Sequence, residues 1–227
     1  MITTDWGGVR ERVEALARRD KADVLFGYGG RGHGHRLRLD APLSEEQLDE
    51  AEARLRVTLP ADYRSFLLQV GAGGAGPFYG IGSLVRQDDG WSWNGPGLES
   101  DLGRLHLPFA GEDVITEALA EHDGREPVLR DFPGIEEFSR AFKAWDGEGE
   151  VLFRRMATGA VRLSHFGCGA YYWLVVSGSE RGHLWVENRP VDLGFTPLTR
   201  PEPRVTFTRW YLDWLAAAED QVDRASR

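Results

Sequence analysis

The chain has 227 residues, 41% hydrophobic and 28% charged, with a single cysteine and a formal net charge of -9. No run approaches the roughly 18 apolar residues of a membrane span, one thiol excludes an intramolecular disulfide and an all-cysteine metal site, and the negative balance argues against holding bare nucleic acid by phosphate neutralisation. The opening MITTDWGGVRERVEAL has no basic stretch followed by an apolar run, so no secretory signal is expected and a reducing cytoplasm is the expected location.

Trp6, Val9, Val13 and Leu16 lie three or four apart and predict an amphipathic helix. Gly27 to Gly34 is a glycine-rich turn region, after which His35, Leu37 and Leu39 alternate with Arg36 and Arg38 as in a short strand. Ser44 and Gln47 have the spacing of a capping box, with Leu43 and Leu48 as its hydrophobic staple. Leu48, Ala51 and Leu55 are then the inner face of that helix. Pro60 suits the first position of a second helix, where no N–H is needed. Tyr63, Phe66, Leu67 and Val70 form its apolar stripe, and Gly71 stops it. The two helices, joined by Arg56-Val57-Thr58-Leu59, make a helical hairpin. A strand is expected over Phe78–Leu84. Residues 85–150 read as irregular, with breakers at Pro96, Pro108, Pro127 and Pro133 and two helices near Glu112–His122 and Ile135–Trp145. Three strands follow, Ala160–Phe166, Tyr171–Ser177 and His183–Glu187, and the short glycine turns between them imply antiparallel pairing. Phe207, Trp210, Tyr211, Trp214 and Leu215 mark a closing amphipathic helix. The order predicts an α+β fold, an antiparallel or mixed sheet with an N-terminal helical pair and a C-terminal helix packed on it.

Charge is unevenly spread. Residues 85–150 hold 16 acidic and 6 basic side chains, a net of -10, while residues 1–84 carry -1 and residues 151–227 carry +2. The segment is either a solvated insertion or a surface that meets a basic partner. On the second reading the partner face draws on Asp88, Asp89, Glu112, Asp113, Glu117, Glu136 and Glu137. Trp91 and Trp93 either dock into the core or stand out as aromatic anchors for that partner.

Other candidate chemistry has a structural alternative in each case. Gly71 to Gly76 matches GxGxxG, but a helix precedes it and a strand follows, the reverse of a dinucleotide loop; a tight turn is the alternative. Cys168 near His165 has the makings of an activated thiol, or of a small residue at a buried corner flanked by glycines. His33 and His35 would share a strand face as two metal ligands, yet zinc needs a third, and Leu37 and Leu39 continue the face as a sheet surface would. Asp88-Asp89 and Glu112-Asp113 could be paired acids for hydrolysis, or chance neighbours in a segment this acidic.

The run from Leu43 to Leu84, with Leu59, Pro60, Asp62, Tyr63, Phe66 and Leu67 in sequence, resembles the signature of the SUKH superfamily, which includes yeast cell-wall assembly regulators and many bacterial immunity proteins. Gly159, Gly167, Cys168, Gly169, Val175, Gly178, Gly182 and Trp185 are similar to the strand region of bacterial members, and TFTRWYLDWL, with Trp210 and Trp214, resembles their terminal helix. The resemblance covers residues 35–84 and 159–215, extends weakly to 1–20, and skips 85–150, which is therefore expected to be a variable acidic insertion within a single domain spanning 1–227. It implies an α+β fold, motif residues that cap and pack, no catalytic residues and no cofactor. It also implies a binding function: neutralising a polymorphic-toxin domain by direct occlusion or, alternatively, acting as an intracellular scaffold or regulator on a host protein. A third reading is an enzyme using Cys168 and His165. The expected partner is a basic protein domain, with no direct nucleic acid and no membrane.

Overall fold

Trp6, Val9, Val13 and Leu16, spaced for one helical face, are all buried, and helix α1 (Val9–Ala17) carries three of them. The computed structural model describes residues 6–29, 34–88, 90–188, 194–199 and 204–227. Helix α2 (Glu45–Leu55) opens on a reciprocal cap: the Gln47 N–H donates to Ser44 Oγ (3.1 Å) and the Ser44 N–H donates to Gln47 Oε1 (2.9 Å). Its buried residues are Leu48, Ala51 and Leu55. Helix α3 (Ala61–Gln69) starts one residue later than Pro60 suggested, because Pro60 keeps an extended ψ of 136° and serves as the cap. Tyr63, Phe66, Leu67 and Val70 are fully buried. Arg64 ties the two helices together through Glu45 (2.8 Å), Asp49 (2.7 Å) and Glu52 (3.2 Å).

The strand expected over His35–Leu39 is absent. Arg36 and Leu37 turn through the left-handed region (φ 46° and 53°), and only Leu39 makes a bridge, to Gly74. Phe78 is left-handed as well (φ 53°), which delays the next strand, β1, to Ser83–Gln87. It pairs antiparallel with β2 (Gly90–Asn94), setting Leu84 opposite Trp93 and Arg86 opposite Trp91. The start of the acidic segment is therefore a regular hairpin. Alternation along β2 places Trp91 and Trp93 on one face, and that face packs on α2 and α3. The two indoles are only 4% and 6% exposed, and Trp93 Nε1–H donates to Tyr63 Oη (2.7 Å). Of the two alternatives for these tryptophans, the core is the one observed, and neither is free to anchor a partner.

Helices α4 (Glu112–Asp123) and α5 (Ile135–Met156) follow, the second running eleven residues past the expected end at Trp145. A four-stranded antiparallel sheet comes next, in the order β3 (Ala160–Gly167), β4 (Ala170–Val175), β5 (Leu184–Glu187) and β6 (Phe195–Pro197); β6 was not anticipated. The β3–β4 turn is a two-residue loop of Cys168 and Gly169, both at positive φ (51° and 74°), as type I′ hairpins require. Cys168 is exposed at its tip and does not fill a buried corner. Helix α6 (Phe207–Ala225) closes the chain, capped by Thr206.

Strand alternation sorts the interior into two cores. Leu163, Tyr172, Leu174 and Leu184 face α1, α2, α3 and α6, where Trp6 meets Phe66 (5.3 Å between ring centroids), Phe207 and Tyr211 (both 5.9 Å). Trp173, Val175, Trp185 and Phe195 face the other way and pack with Phe109, Ile115, Phe153 and Met156. Tyr63, Phe66 and Trp210 are buried as the closing-helix and hairpin registers demanded; Trp214 is half-buried, set against Tyr211 (5.2 Å) and the edge of His35 (6.1 Å).

Candidate functional site

Among the described residues eight large hydrophobic side chains are exposed, and six of these, Val114, Val128, Leu129, Ile135, Phe142 and Val151, lie on α4, α5 and their connection. A globular surface exposes single apolar residues routinely; a concentration on one pair of helices calls for a local reason. For Ile135 and Phe142 that reason is length. Helix α4 has 12 residues and α5 has 22, about 18 Å against about 33 Å of axis. Only the last turn of α5, with Phe153 and Met156, enters the core, and none of residues 135–152 is buried.

Away from the second core the two helices are clasped by a stacked pair. His122 on α4 stacks on Trp145 of α5 (4.7 Å, 20° between planes). The two also exchange hydrogen bonds, His122 Nε2 to the Trp145 carbonyl and Trp145 Nε1–H to the His122 carbonyl, each 3.0 Å. Gly149 permits the approach, since a Cβ there would stand 2.9 Å from His122 Cε1. Beyond the clasp α4 ends, while α5 continues through Phe142, Phe138 and Ile135, where Phe132 from the connection packs on Phe138 (5.9 Å). Beside the clasp is a cleft of about 610 Å³ lined by Leu119, Phe142, Trp145 and Leu152 and by the carboxylates of Asp123, Glu126, Asp146 and Glu150.

The acids singled out from the sequence separate in space. Glu112, Asp113 and Glu117 lie on α4, and Asp113, Glu117 and Glu121 form an exposed stripe at four-residue spacing. Glu136 and Glu137 begin α5 at the far end of the pair. Asp88 is exposed at the tip of the β1–β2 hairpin, on the side where Arg86 meets Glu50 of α2 (3.2 Å), and Asp89 lies outside the described residues. Four of these acids, Glu112, Asp113, Glu136 and Glu137, occupy first helical turns, where a carboxylate complements the helix dipole, so part of the acidity serves the helices themselves. Glu112 is paired with Arg204 (2.8 Å) and Glu137 with Arg140 (3.3 Å).

In the glycine loop, the N–H groups of Gly71, Ala72, Gly74 and Ala75 donate to carbonyls of Phe66, Ala41, Ile81 and Arg38, so four of its six N–H groups serve backbone pairing. His165 is stacked between Tyr79 (5.5 Å) and Tyr171 (4.9 Å), while Cys168 sits out in the turn. His35 is off any strand: its Nδ1 accepts from the Leu37 N–H (2.9 Å), and burial pushes the imidazole down to about 4 against the pull of the Phe26 and Phe78 carbonyls. His33 lies outside the described residues. Among those described, no three His, Cys, Asp or Glu side chains are grouped to hold a metal ion, and no helix is long and apolar enough to cross a membrane.

The exposed seam on α5 was missed from sequence although its signal is there. Ile135, Phe138, Phe142, Trp145, Gly149, Leu152 and Met156 alternate three and four apart, but the Gly-Glu-Gly at 147–149 interrupts the pattern and suggests an early stop. The model of the SMI1 / KNR4 family (SUKH-1) matches residues 42–193. The comparisons with curated proteins and with solved structures give no match.

Proposed function

The chain belongs to the SMI1 / KNR4 family (SUKH-1), and from that premise we propose that it is a non-catalytic binding protein that neutralises a toxin domain in the cytoplasm by covering it. The observation that carries this reading is the helical pair α4–α5, which brings acidic and apolar side chains to one surface outside both cores. Carboxylates on such a surface compete with substrate phosphates for a basic cleft and raise the rate of encounter with it. Residues 85–150 then form the variable part of a single domain spanning 1–227, in which Leu59, Pro60, Tyr63, Phe66, Leu67, Trp185 and Trp210 hold the frame and α4–α5 selects the partner. Within this reading Cys168 and His165 do no chemistry, and Cys168→Ser leaves protection unchanged.

The test is co-expression with the product of a toxin-bearing gene adjacent to its own, scored by survival and by isolation of a one-to-one complex. Protection with complex formation is expected. Survival without a complex, or loss of protection in a folded Cys168→Ser protein, would favour catalysis. If no such neighbour exists and a host regulator is bound instead, the scaffold reading replaces this one.

A further inference from the structure

We propose that the open end of the α4–α5 pair docks a basic amphipathic helix of the partner, laid along the seam of α5 where α4 stops. The inference rests on the partner-binding reading and gives that partner its chemistry. The three-and-four alternation from Ile135 to Met156 is the spacing by which one helix packs side chains into another. Over its inner half the seam has that counterpart, since Trp145 and Gly149 meet His122 of α4 and Met156 enters the core. Over its outer half the cover is partial: Phe132 of the connection meets Phe138 (5.9 Å), while Ile135 is 62% and Phe142 37% exposed. A helix of about four turns would continue the line of α4 and cover both residues, as helix-in-groove ligands do.

Charge selects the kind of helix. Four acidic residues, Asp123, Glu126, Asp146 and Glu150, line the cleft beside Phe142 and Trp145, and two of the nearby cations are paired, Arg125 with Glu148 (3.1 Å) and Arg140 with Glu137 (3.3 Å). Lysines or arginines flanking the apolar stripe of the incoming helix find acceptors there. A second copy of this chain would set acidic cleft against acidic cleft, and an anionic lipid surface would be repelled in the same way. A basic protein segment is the occupant that both the apolar seam and its carboxylate border accept.

Two helical peptides of about 18 residues test this, one with leucines on the seam positions and lysines elsewhere, the other with glutamates in place of the lysines. Each is titrated against the full chain by calorimetry. The lysine peptide is expected to bind one to one, at least about tenfold more tightly than the glutamate peptide and more weakly at high salt. Ile135→Ser with Phe142→Ser should weaken it about tenfold or more with helicity and melting temperature retained. Asp146→Asn with Glu150→Gln should narrow the gap between the two peptides, a change that loss of structure would not mimic. Equal affinity for both peptides, no binding of either, indifference to the serine changes, or a dimer in sedimentation that those changes dissolve would each overturn the proposal. A toxin complex that survives the serine changes unaltered overturns the docking site alone; failure of the unaltered chain to bind any neighbouring toxin overturns the partner reading instead.

Discussion

Asp62, the acid of the Leu-Pro-x-Asp-Tyr run, joins the first turn of α3 to the first turn of α6. Its Oδ2 accepts from both the N–H and the hydroxyl of Thr208 (3.1 Å each), its Oδ1 accepts from the Tyr63 N–H (2.9 Å), and its carbonyl takes the Trp6 indole N–H (3.2 Å). One carboxylate thus satisfies N–H groups that two helix starts leave unpaired. Asp62→Ala is expected to cost about 1–3 kcal/mol, read as a lower urea midpoint with unchanged slope. His35 works in the opposite sense, as a base kept neutral. The unfolded ring takes up a proton near 6.5, the folded one only near 4, so the unfolded state binds more protons between those values. The stabilisation is complete above pH 6.5 and is lost progressively as pH falls to about 4, by up to about 3 kcal/mol. Urea unfolding across that window should show a steeper fall for the natural chain than for His35→Gln. A flat difference would mean the ring is solvated.

The helices and strands were legible wherever local pattern and local chemistry agree. The capping box of Ser44 and Gln47, the stripe from Tyr63 to Val70 and the short Gly-Cys-Gly turn at 167–169 are properties of adjacent residues, and each has its element where the spacing put it. Helix α5 shows the opposite. Glycines at 147 and 149 weaken the local helical preference, yet the helix runs through both because Phe153 and Met156 anchor its end in the second core. The two glycines differ in cause. A Cβ at Gly147 meets open space, whereas at Gly149 it meets the His122 ring. Gly147→Ala should therefore raise the melting temperature, by a stabilisation of about 0.5–1 kcal/mol, and Gly149→Ala should lower it by forcing the clasp apart, at a cost of about 1–3 kcal/mol. Matching shifts in both variants would contradict the clasp.

Over the whole molecule, a net charge of -9 with -10 in residues 85–150 leaves the rest nearly balanced. Such an imbalance costs self-repulsion in the compact state. Neutralising Asp113, Glu117, Asp146 and Glu150 together should slow association with a basic partner more than it speeds dissociation, and should flatten the salt dependence of the association rate measured by stopped flow. A salt-independent rate would leave the segment a solvated surface. The sequence by itself determined the α+β class, the helical hairpin, three of the six strands among the described residues and the closing helix, because periodicity and capping act within a few residues. It also determined that the acidity is concentrated in one segment. Only the tertiary structure decided that Trp91 and Trp93 belong to the core, since their burial depends on a hairpin folding onto α2 and α3 and on Tyr63 standing within reach of an indole N–H. It alone decided that α5 outruns α4, because which part of an amphipathic face is covered depends on the length and position of its neighbour, and no pattern within the helix records that.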